Sequence, residues 1–540
     1  MTLRIKVAGK DVRWQTLPEM LEGVAASTSD EKGIEIDGRF VSYRDLHVLA
    51  QRMAANLVAL GIKPGDIICS LMRSRVEALA TWFGAVMAGA IWTPVNTGLV
   101  GQDLAHIFHS SSPAVLVVDQ DHLARLAEAG ISRLPEHRYI VGAEQPIPDY
   151  ADFEFLIADG PSPPSVVVGP SDPAVIIYTG GTTGMPKGVV LPHFAMIGGA
   201  MRYGEAFGAS PEDRHFGVSP LFHAGGLTIS VLGPMHAGMS STIDSTFSLG
   251  NYWRRVRESR ATIINPIGVI LTLLCRQEPS ELDRRHLVRI CIGVTGQLPQ
   301  DIPAEFSKRF GIEIVNIYSL SEASGAMIIY NERNSRQPES NGRSNYWADV
   351  AVVNAFDQPL QAEEIGEIVL RPKVPFSFML RYHNNSEGTL SVLRNLWLHT
   401  GDLGYLDQDG YLFFLGREAH WLRRRGENIS AYEIESIISQ YPGISELAIV
   451  GVPAEIGEEE VKLFVVPEAG SKIDPVDITY WCADRMAGFK VPRFIEFVSE
   501  LPRSTAKREV ERHTLRAMPN VSAWDREKIF GRKLPAREQR

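Results

Sequence analysis

From Ile34 to Tyr318 the chain repeatedly alternates a short apolar run with a segment of helical period, and few folds accommodate that pattern. Two short strands over 34–42 flank the turn Asp37-Gly38. Ser42 and Asp45 then make a capping pair for a helix in which Leu46, Leu49, Met53, Leu57 and Leu60 recur at helical spacing, until Gly61 ends it. A strand over Ile67–Leu71 follows, then a helix over about 76–88, then the apolar stretch Ala90–Val95. Apolar runs resume at Ala114–Val118, Ala174–Tyr178, Thr262–Asn265, Val288–Ile292 and Ile314–Tyr318. Apolar strands separated by helical segments imply a mostly parallel sheet, so the expected fold class is α/β.

The texture changes near Val350. Gly366–Arg371 and Gly404–Leu415 read as β-rich, the second folded around Asp409-Gly410. After Gly416 the pattern is that of a small α+β unit, with a helix from near Ala431, strands over Glu446–Val452 and Glu460–Pro467, and a helix over Asp474–Arg485. Gly160–Pro173, rich in Pro, Ser and Gly, reads as a connector. At 540 residues the chain exceeds what one core supports. The expected organisation is a large N-terminal domain over 1–417, of mostly parallel sheets with helices plus a β-rich subdomain, and a small α+β C-terminal domain over 418–540, hinged at about 416–420.

A formal net charge of −10 removes the basic footprint that non-specific nucleic-acid binding needs, while leaving an anionic substrate open. Cys69, Cys275, Cys291 and Cys482 are scattered, with no Cys-x-x-Cys pair, and are most simply small buried hydrophobes in a reducing compartment. Met1–Lys10 lacks the apolar core of a secretory leader, and no apolar run approaches the roughly 20 residues of a membrane span. The expectation is a cytoplasmic protein without a transmembrane segment, and a homodimer is left open.

The densest chemistry follows the strand Ala174–Ile177. Tyr178-Thr179-Gly180-Gly181-Thr182-Thr183-Gly184-Met-Pro-Lys187-Gly188 packs glycines, threonine hydroxyls and a lysine into one loop. Glycines let backbone N–H groups converge on an oxyanion, hydroxyls donate to it, and a lysine supplies charge. It is not a Walker A loop, because Pro186 precedes the lysine and Gly188 follows it. A plain surface turn would not explain so many hydroxyls and glycines after a buried strand.

This loop resembles the phosphate-binding signature of the acyl/aryl-CoA ligase, adenylation-domain and luciferase superfamily, with Gly180 where that signature usually has serine. The resemblance covers about 17–516. Pro220-Leu-Phe-His223-Ala-Gly-Gly226 looks like the segment whose aromatic residue borders the ATP and acyl sites, which makes His223 a candidate catalytic residue, although a lone histidine is commonly a core residue. Phe222–Gly226 and Val294–Gly296 are the candidate acyl-pocket residues. Gly296 and Gln297, in Gly-Gln-Leu-Pro299, fall where the family has an adenine-contacting turn. Tyr318-Ser-Leu-Ser321-Glu322 is similar to the family's Tyr-Gly-x-Thr-Glu. The resemblance implies that Tyr318 stacks on adenine, that Ser321 donates to phosphate, and that Glu322 is catalytic and holds Mg²⁺, a hard cation that prefers carboxylate and phosphate oxygens. Asp402, in Thr400-Gly-Asp402, and Arg417 resemble the pair that grips the nucleotide ribose. The run Arg423–Asn428 is either a solvated face or part of a CoA and phosphate entrance.

The match weakens at the family's adenylation lysine, which sits in a Pro-x-Thr-x-x-Gly-Lys context. This chain reads Pro502-Arg-Ser-Thr-Ala-Lys507-Arg508-Glu-Val-Glu-Arg512, with no glycine before the lysine. Counting from Pro502 puts Arg508 in the slot, and counting back from Arg512 puts Glu509 there. Lys507 is the candidate catalytic lysine, and Met486-Ala-Gly-Phe-Lys-Val-Pro492 still looks like the bacterial carnitine/crotonobetaine-type CoA ligase branch. The resemblance implies a ligase that joins a carboxylic acid to CoA through an acyl-AMP intermediate, with ATP and CoA as co-substrates and Mg²⁺ as cofactor. Two other readings stay open: loading of a carrier protein's pantetheine arm, and a nucleotide-binding regulatory homologue that has lost adenylation.

Overall fold

The computed structural model describes residues 4–161, 166–179, 185–266, 268–293, 301–324, 327–417, 421–424, 427–454, 459–502, 510 and 512–531, with only the backbone described for some of them, Arg417 included. Among these residues the strands form two eight-stranded sheets, a five-stranded sheet, a four-stranded C-terminal sheet and two two-stranded ribbons.

In the first eight-stranded sheet, Ile67–Leu71 lies at the centre between Ile91–Pro94 and Val115–Asp119, all parallel. All five residues of Ile67–Leu71 are buried, as a strand covered on both faces requires. Ile68 joins the main core, whereas Ile67, Cys69 and Leu71 face a second core roofed by Leu104, Ile107 and Phe108 of the helix Gly101–Ser111. The other edge turns antiparallel: Pro173–Thr179 pairs with Lys187–Pro192, which pairs in turn with Arg381–Tyr382.

The second sheet runs Ile329–Tyr330, Glu313–Tyr318, Ile290–Gly293, Ile263–Asn265, Arg214–Gly217, Ser240–Ile243, Gly33–Ile36 and Arg39–Ser42. Its pairings are parallel except at the two edges. Both sheets contribute to one core, to which the helices Leu17–Ser27, Tyr43–Ala59, Val76–Met87 and His193–Phe207 also bring buried side chains. The cap expected at Ser42 is present, its hydroxyl accepting from Asp45 N at 3.0 Å, and Gly61 has φ +86° just past the helix end.

Ala348–Val353, Gly366–Pro372, Trp397–Leu406 and Leu412–Arg417 build the β-rich sheet, all antiparallel. Beyond it, Ile444–Pro453, Glu459–Pro467, Phe494–Phe497 and Trp524–Asp525 form the C-terminal sheet, with the helices Ala431–Ile438 and Pro475–Ala483 packed on it around a separate core. The α/β class, the mostly parallel sheets, the β-rich segment and the small α+β unit therefore match the reading of the sequence.

The elements not foreseen include the helices Leu17–Ser27, Gly101–Ser111 and His193–Phe207, the strands Arg214–Gly217 and Ser240–Ile243, and a π-helical turn over Gly226–Leu232. Among the described residues no helix is long and apolar enough to cross a membrane.

Candidate active site

Thr179 and Lys187, which flank the glycine-rich sequence, pair as the last rung of the antiparallel strands Pro173–Thr179 and Lys187–Pro192. Gly180, Gly181, Thr182, Thr183 and Gly184 lie outside the described residues, and so do Gly296, Gln297, Lys507, Arg508 and the hinge residues 418–420. Gly188 is required sterically: a Cβ there would sit 2.9 Å from Ile176 and 3.0 Å from the Tyr178 ring. The Lys187 ammonium stands 5.1 Å from the centroid of the Tyr382 ring. Burial lowers the Lys187 pKa, and the charge of Glu322 opposes that shift.

Glu322 lies in the single 3₁₀ turn Ser321–Ala323, one turn past the strand Glu313–Tyr318. Two donors from the stretch 379–382 fix it. Met379 N donates to its carbonyl at 2.7 Å, and the Tyr382 hydroxyl donates to its Oε1 at 2.7 Å. Tyr382 is brought there by strand pairing, since Val189 is its Cα partner across the sheet. Nothing near residue 382 in the sequence signals this role, which only a long-range antiparallel pairing creates. Ser321, half-buried, opens the same turn.

Tyr318 ends its strand with its ring centroid 5.8 Å from Phe414 and its hydroxyl donating to Asp402 Oδ2 at 2.6 Å. The two family-like segments that carry these residues, 84 positions apart, are therefore joined by a short charge-assisted hydrogen bond. Asp402 is only 4% exposed. Gly401 has φ +68°, which suits glycine, and its N–H donates to Glu367 Oε1 at 3.0 Å. Thr400 Oγ1 accepts from Asp402 N at 3.1 Å and donates to the Ile368 carbonyl at 2.6 Å. Arg417 is the Cα partner of Asp402 on the neighbouring strand, which places the two expected ribose residues side by side along the backbone.

His223 packs on Phe222 with ring centroids 4.7 Å apart, and its backbone N–H donates to the Pro220 carbonyl at 3.1 Å. Gly226 fits only as glycine, because a Cβ would meet that same carbonyl at 2.1 Å. Among the described residues no group of three or more His, Cys, Asp or Glu is arranged to hold a metal ion. Glu322 alone fits Mg²⁺ bound mainly through nucleotide phosphates, the usual arrangement for that cation. A cleft of about 950 Å³ lined by Phe108, His109, Arg133 and Arg138 shares none of these site residues.

A hairpin leading into the glycine-rich sequence, a tyrosine–aspartate hydrogen bond and an oriented glutamate fit a nucleotide-activating, adenylate-forming enzyme. The chain belongs to the AMP-binding enzyme family, whose profile matches residues 21–382, with the family's C-terminal domain matching residues 433–508. Crotonobetaine/carnitine–CoA ligase of Escherichia coli O8 is 28% identical over 515 residues, which is 94% of this chain and 99% of that protein. The fold is shared with o-succinylbenzoate CoA synthetase of Bacillus subtilis, at a TM-score of 0.79, 22% identity and coverage of 92% of this chain and 98% of that one. It is also shared with a Mycobacterium tuberculosis fatty acyl CoA synthetase, at a TM-score of 0.67, 27% identity and coverage of 93% and 98%.

Proposed function

We propose that this chain is an ATP-dependent carboxylate–CoA ligase that works through an acyl-adenylate. In the first step a carboxylate oxygen attacks the α-phosphorus of ATP, the bond from that phosphorus to the β-phosphate bridge breaks, and pyrophosphate leaves. In the second step the CoA sulfur attacks the acyl carbon, AMP departs with the electron pair of the broken anhydride bond, and the thiol proton is released. The observation that carries the reading is the cluster in which Tyr318 meets Asp402 and Tyr382 sets Glu322 beside Lys187.

Within that cluster Asp402 accepts the ribose hydroxyls, held in place by the Tyr318 hydroxyl and by the Thr400-Gly401 turn. Lys187 neutralises phosphate charge, and its lowered pKa reflects the partial desolvation that strengthens such contacts. Glu322 is the carboxylate that holds Mg²⁺, which supplies charge neutralisation on the phosphates when bound. Thr179 and Gly180–Gly184 wrap phosphate, Ser321 donates to it, Gly296 and Gln297 border adenine, and Arg417 reaches the ribose. His223 borders the acyl carboxylate. Lys507 comes from the small domain for the first step only, and that domain, 418–540, turns about residues 416–420 between steps. ATP and CoA as substrates are consistent with a cytoplasmic location.

Free CoA is preferred over a carrier protein because the full-length relatives are named CoA ligases. The acid is to be found by screening carboxylic acids for pyrophosphate release, with thioester formation measured in parallel. Glu322→Gln serves as the control and should lower the rate about a hundredfold by removing one preorganised charge contact, with the fold intact. Pyrophosphate release without thioester on CoA would move the reading to a carrier-protein acceptor. Nucleotide binding with no pyrophosphate from any acid would move it to a regulatory protein.

A further inference from the structure

One buried ion pair bridges the two halves of the molecule. Lys490 Nζ donates to Asp103 Oδ2 at 2.6 Å, and the two residues are 4% and 0% exposed. Asp103 sits in the first turn of the helix Gly101–Ser111, beneath the first eight-stranded sheet, and Lys490 follows the helix Pro475–Ala483 of the C-terminal unit. The surrounding contact is close. A Cβ on Gly101 would lie 3.0 Å from the Arg485 carbonyl, Ala487 is buried in the core under the sheet, and Phe489 packs against it. Asp103 Oδ1 has no hydrogen-bond partner among the described residues, so Lys490 is the main compensation for this buried charge.

The helix that carries Asp103 also touches the phosphate-loop hairpin. His106, three residues on, has Nε2 3.0 Å from the carbonyl of Pro186, the residue before Lys187. Ser110, seven residues on, accepts from the Tyr178 hydroxyl at 2.9 Å, and its carbonyl lies 3.1 Å from His383 Nε2, next to Tyr382. Positions i, i+3 and i+7 share one helix face. One face of one helix therefore meets the small domain at Asp103 and both ends of the loop hairpin at His106 and Ser110.

We infer that Asp103 and Lys490 are positioning residues: an orientation-specific latch that holds the small domain in one of its two working arrangements and, through the helix Gly101–Ser111, registers that arrangement at the phosphate loop. The inference rests on the two-step reading above. One orientation of the small domain cannot serve both steps if Lys507 must be presented in the first and withdrawn in the second. A pair that is buried only in one orientation therefore serves one half-reaction. When the domains part, water solvates both charges, so the latch can release. Losing one partner while the domains stay closed leaves a charge buried alone, which selectively disfavours the closed arrangement.

The test uses Lys490→Met, Lys490→Arg and the double variant Asp103→Asn/Lys490→Met in the full chain. Acyl-AMP formation from acid and ATP is measured separately from thioester formation from supplied acyl-AMP and CoA. Lys490→Met should slow one half-reaction about tenfold or more and leave the other within about twofold. Lys490→Arg should restore most of the loss, and the double variant should be no worse than the single, because no lone charge remains. Equal loss in both half-reactions, or none, overturns the latch. A second readout is independent of turnover. All four cysteines are buried, so labels at Gln102→Cys and Asp484→Cys report the distance across the contact. That distance should lengthen or broaden in Lys490→Met, and an unchanged distribution overturns the latch even if the enzyme proves inactive with every acid. Inactivity of the unsubstituted protein, by contrast, counts against the ligase reading alone.

Discussion

Tyr382→Phe isolates a side-chain contact at the site that no motif announces. The substitution deletes the hydroxyl that donates to Glu322 Oε1 at 2.7 Å. It leaves the ring under Lys187 and the backbone pairing with Val189. A hydrogen bond to a charged acceptor contributes about 1.5–3 kcal/mol. Glu322 is half-buried, so water can take over part of that contact, and its carbonyl stays anchored by Met379 N. The lower half of the range then applies: about 1.5 kcal/mol, or roughly tenfold in kcat/KM for Mg·ATP. At saturating ATP, the KM for the acid should stay within about twofold, because Tyr382 orients a phosphate-side carboxylate and not the acid. Stability should fall by no more than about 1 kcal/mol, read as the urea midpoint, since no cavity is opened. Pyrophosphate release followed against Mg·ATP at fixed acid gives the answer. Unchanged kcat/KM for Mg·ATP, or an equal rise in the KM of the acid, would refute the idea that Tyr382 sets Glu322 for the nucleotide.

Asp402→Ala should raise the KM for ATP and leave that of the acid unchanged, at a cost of about 1–3 kcal/mol for the unpaired ribose hydroxyls, and parallel rises in both constants would assign Asp402 a structural role. Lys507→Ala should suppress acyl-AMP formation while thioester formation from supplied acyl-AMP stays within a few-fold of normal, as expected for a group used in one step only. Arg508→Ala run beside it decides between the two registers, and normal acyl-AMP formation by both variants removes the lysine role. Burial lowers the pKa of His193 and of His236 to about 4 and that of His215 to about 3. These groups stay neutral when folded but take up protons when unfolded below about 6.5, so stability is full above that pH and declines as pH falls towards 4, by about 2 kcal/mol per histidine at pH 5. Equal urea midpoints at pH 7 and pH 5 would contradict this.

What the sequence made legible was local. Ser42 caps its helix because Asp45 lies three residues on, and Ile67–Leu71 is a buried strand because all its residues but Ser70 are apolar. Tyr318, Glu322 and Asp402 were candidates because each lies in a short run of neighbours that resembles a family motif. Long-range pairing was not legible. Ser240–Ile243 joins Gly33–Ile36, about two hundred positions away, and an alternating pattern of strands and helices cannot say whether its strands make one sheet or two. Tyr382 belongs with these: its partners Val189 and Glu322 are distant in sequence, and a tyrosine near the end of a loop carries no periodic or compositional mark. The latch residues escaped for the same reason, because Asp103 and Lys490 are 387 positions apart and each is unremarkable alone.

The departures from the family pattern fall on one side of the site, and that asymmetry bears on whether this protein catalyses or merely binds. Gly180 in place of serine and the altered lysine segment 502–512 both concern contacts to phosphate. The ribose and adenine side keeps Tyr318 and Asp402, hydrogen-bonded to each other. A chain selected only to bind a nucleotide would have no use for groups that act on the triphosphate. Here Lys187 still lies against Tyr382, partly desolvated, and the Tyr382 hydroxyl still donates to the Glu322 carboxylate. Holding the Glu322 carboxylate through the Tyr382 hydroxyl costs side-chain entropy, which a metal–phosphate contact under the proposed reading would offset. The lost serine hydroxyl removes one donor among several backbone and threonine donors in the loop, a loss of degree in phosphate binding. The lysine segment is different, because it would supply a cation from the small domain, in addition to Lys187 of the large domain. On the proposed reading, catalysis turns on the segment 502–512, and half-reaction measurements on Lys507→Ala and Arg508→Ala decide it.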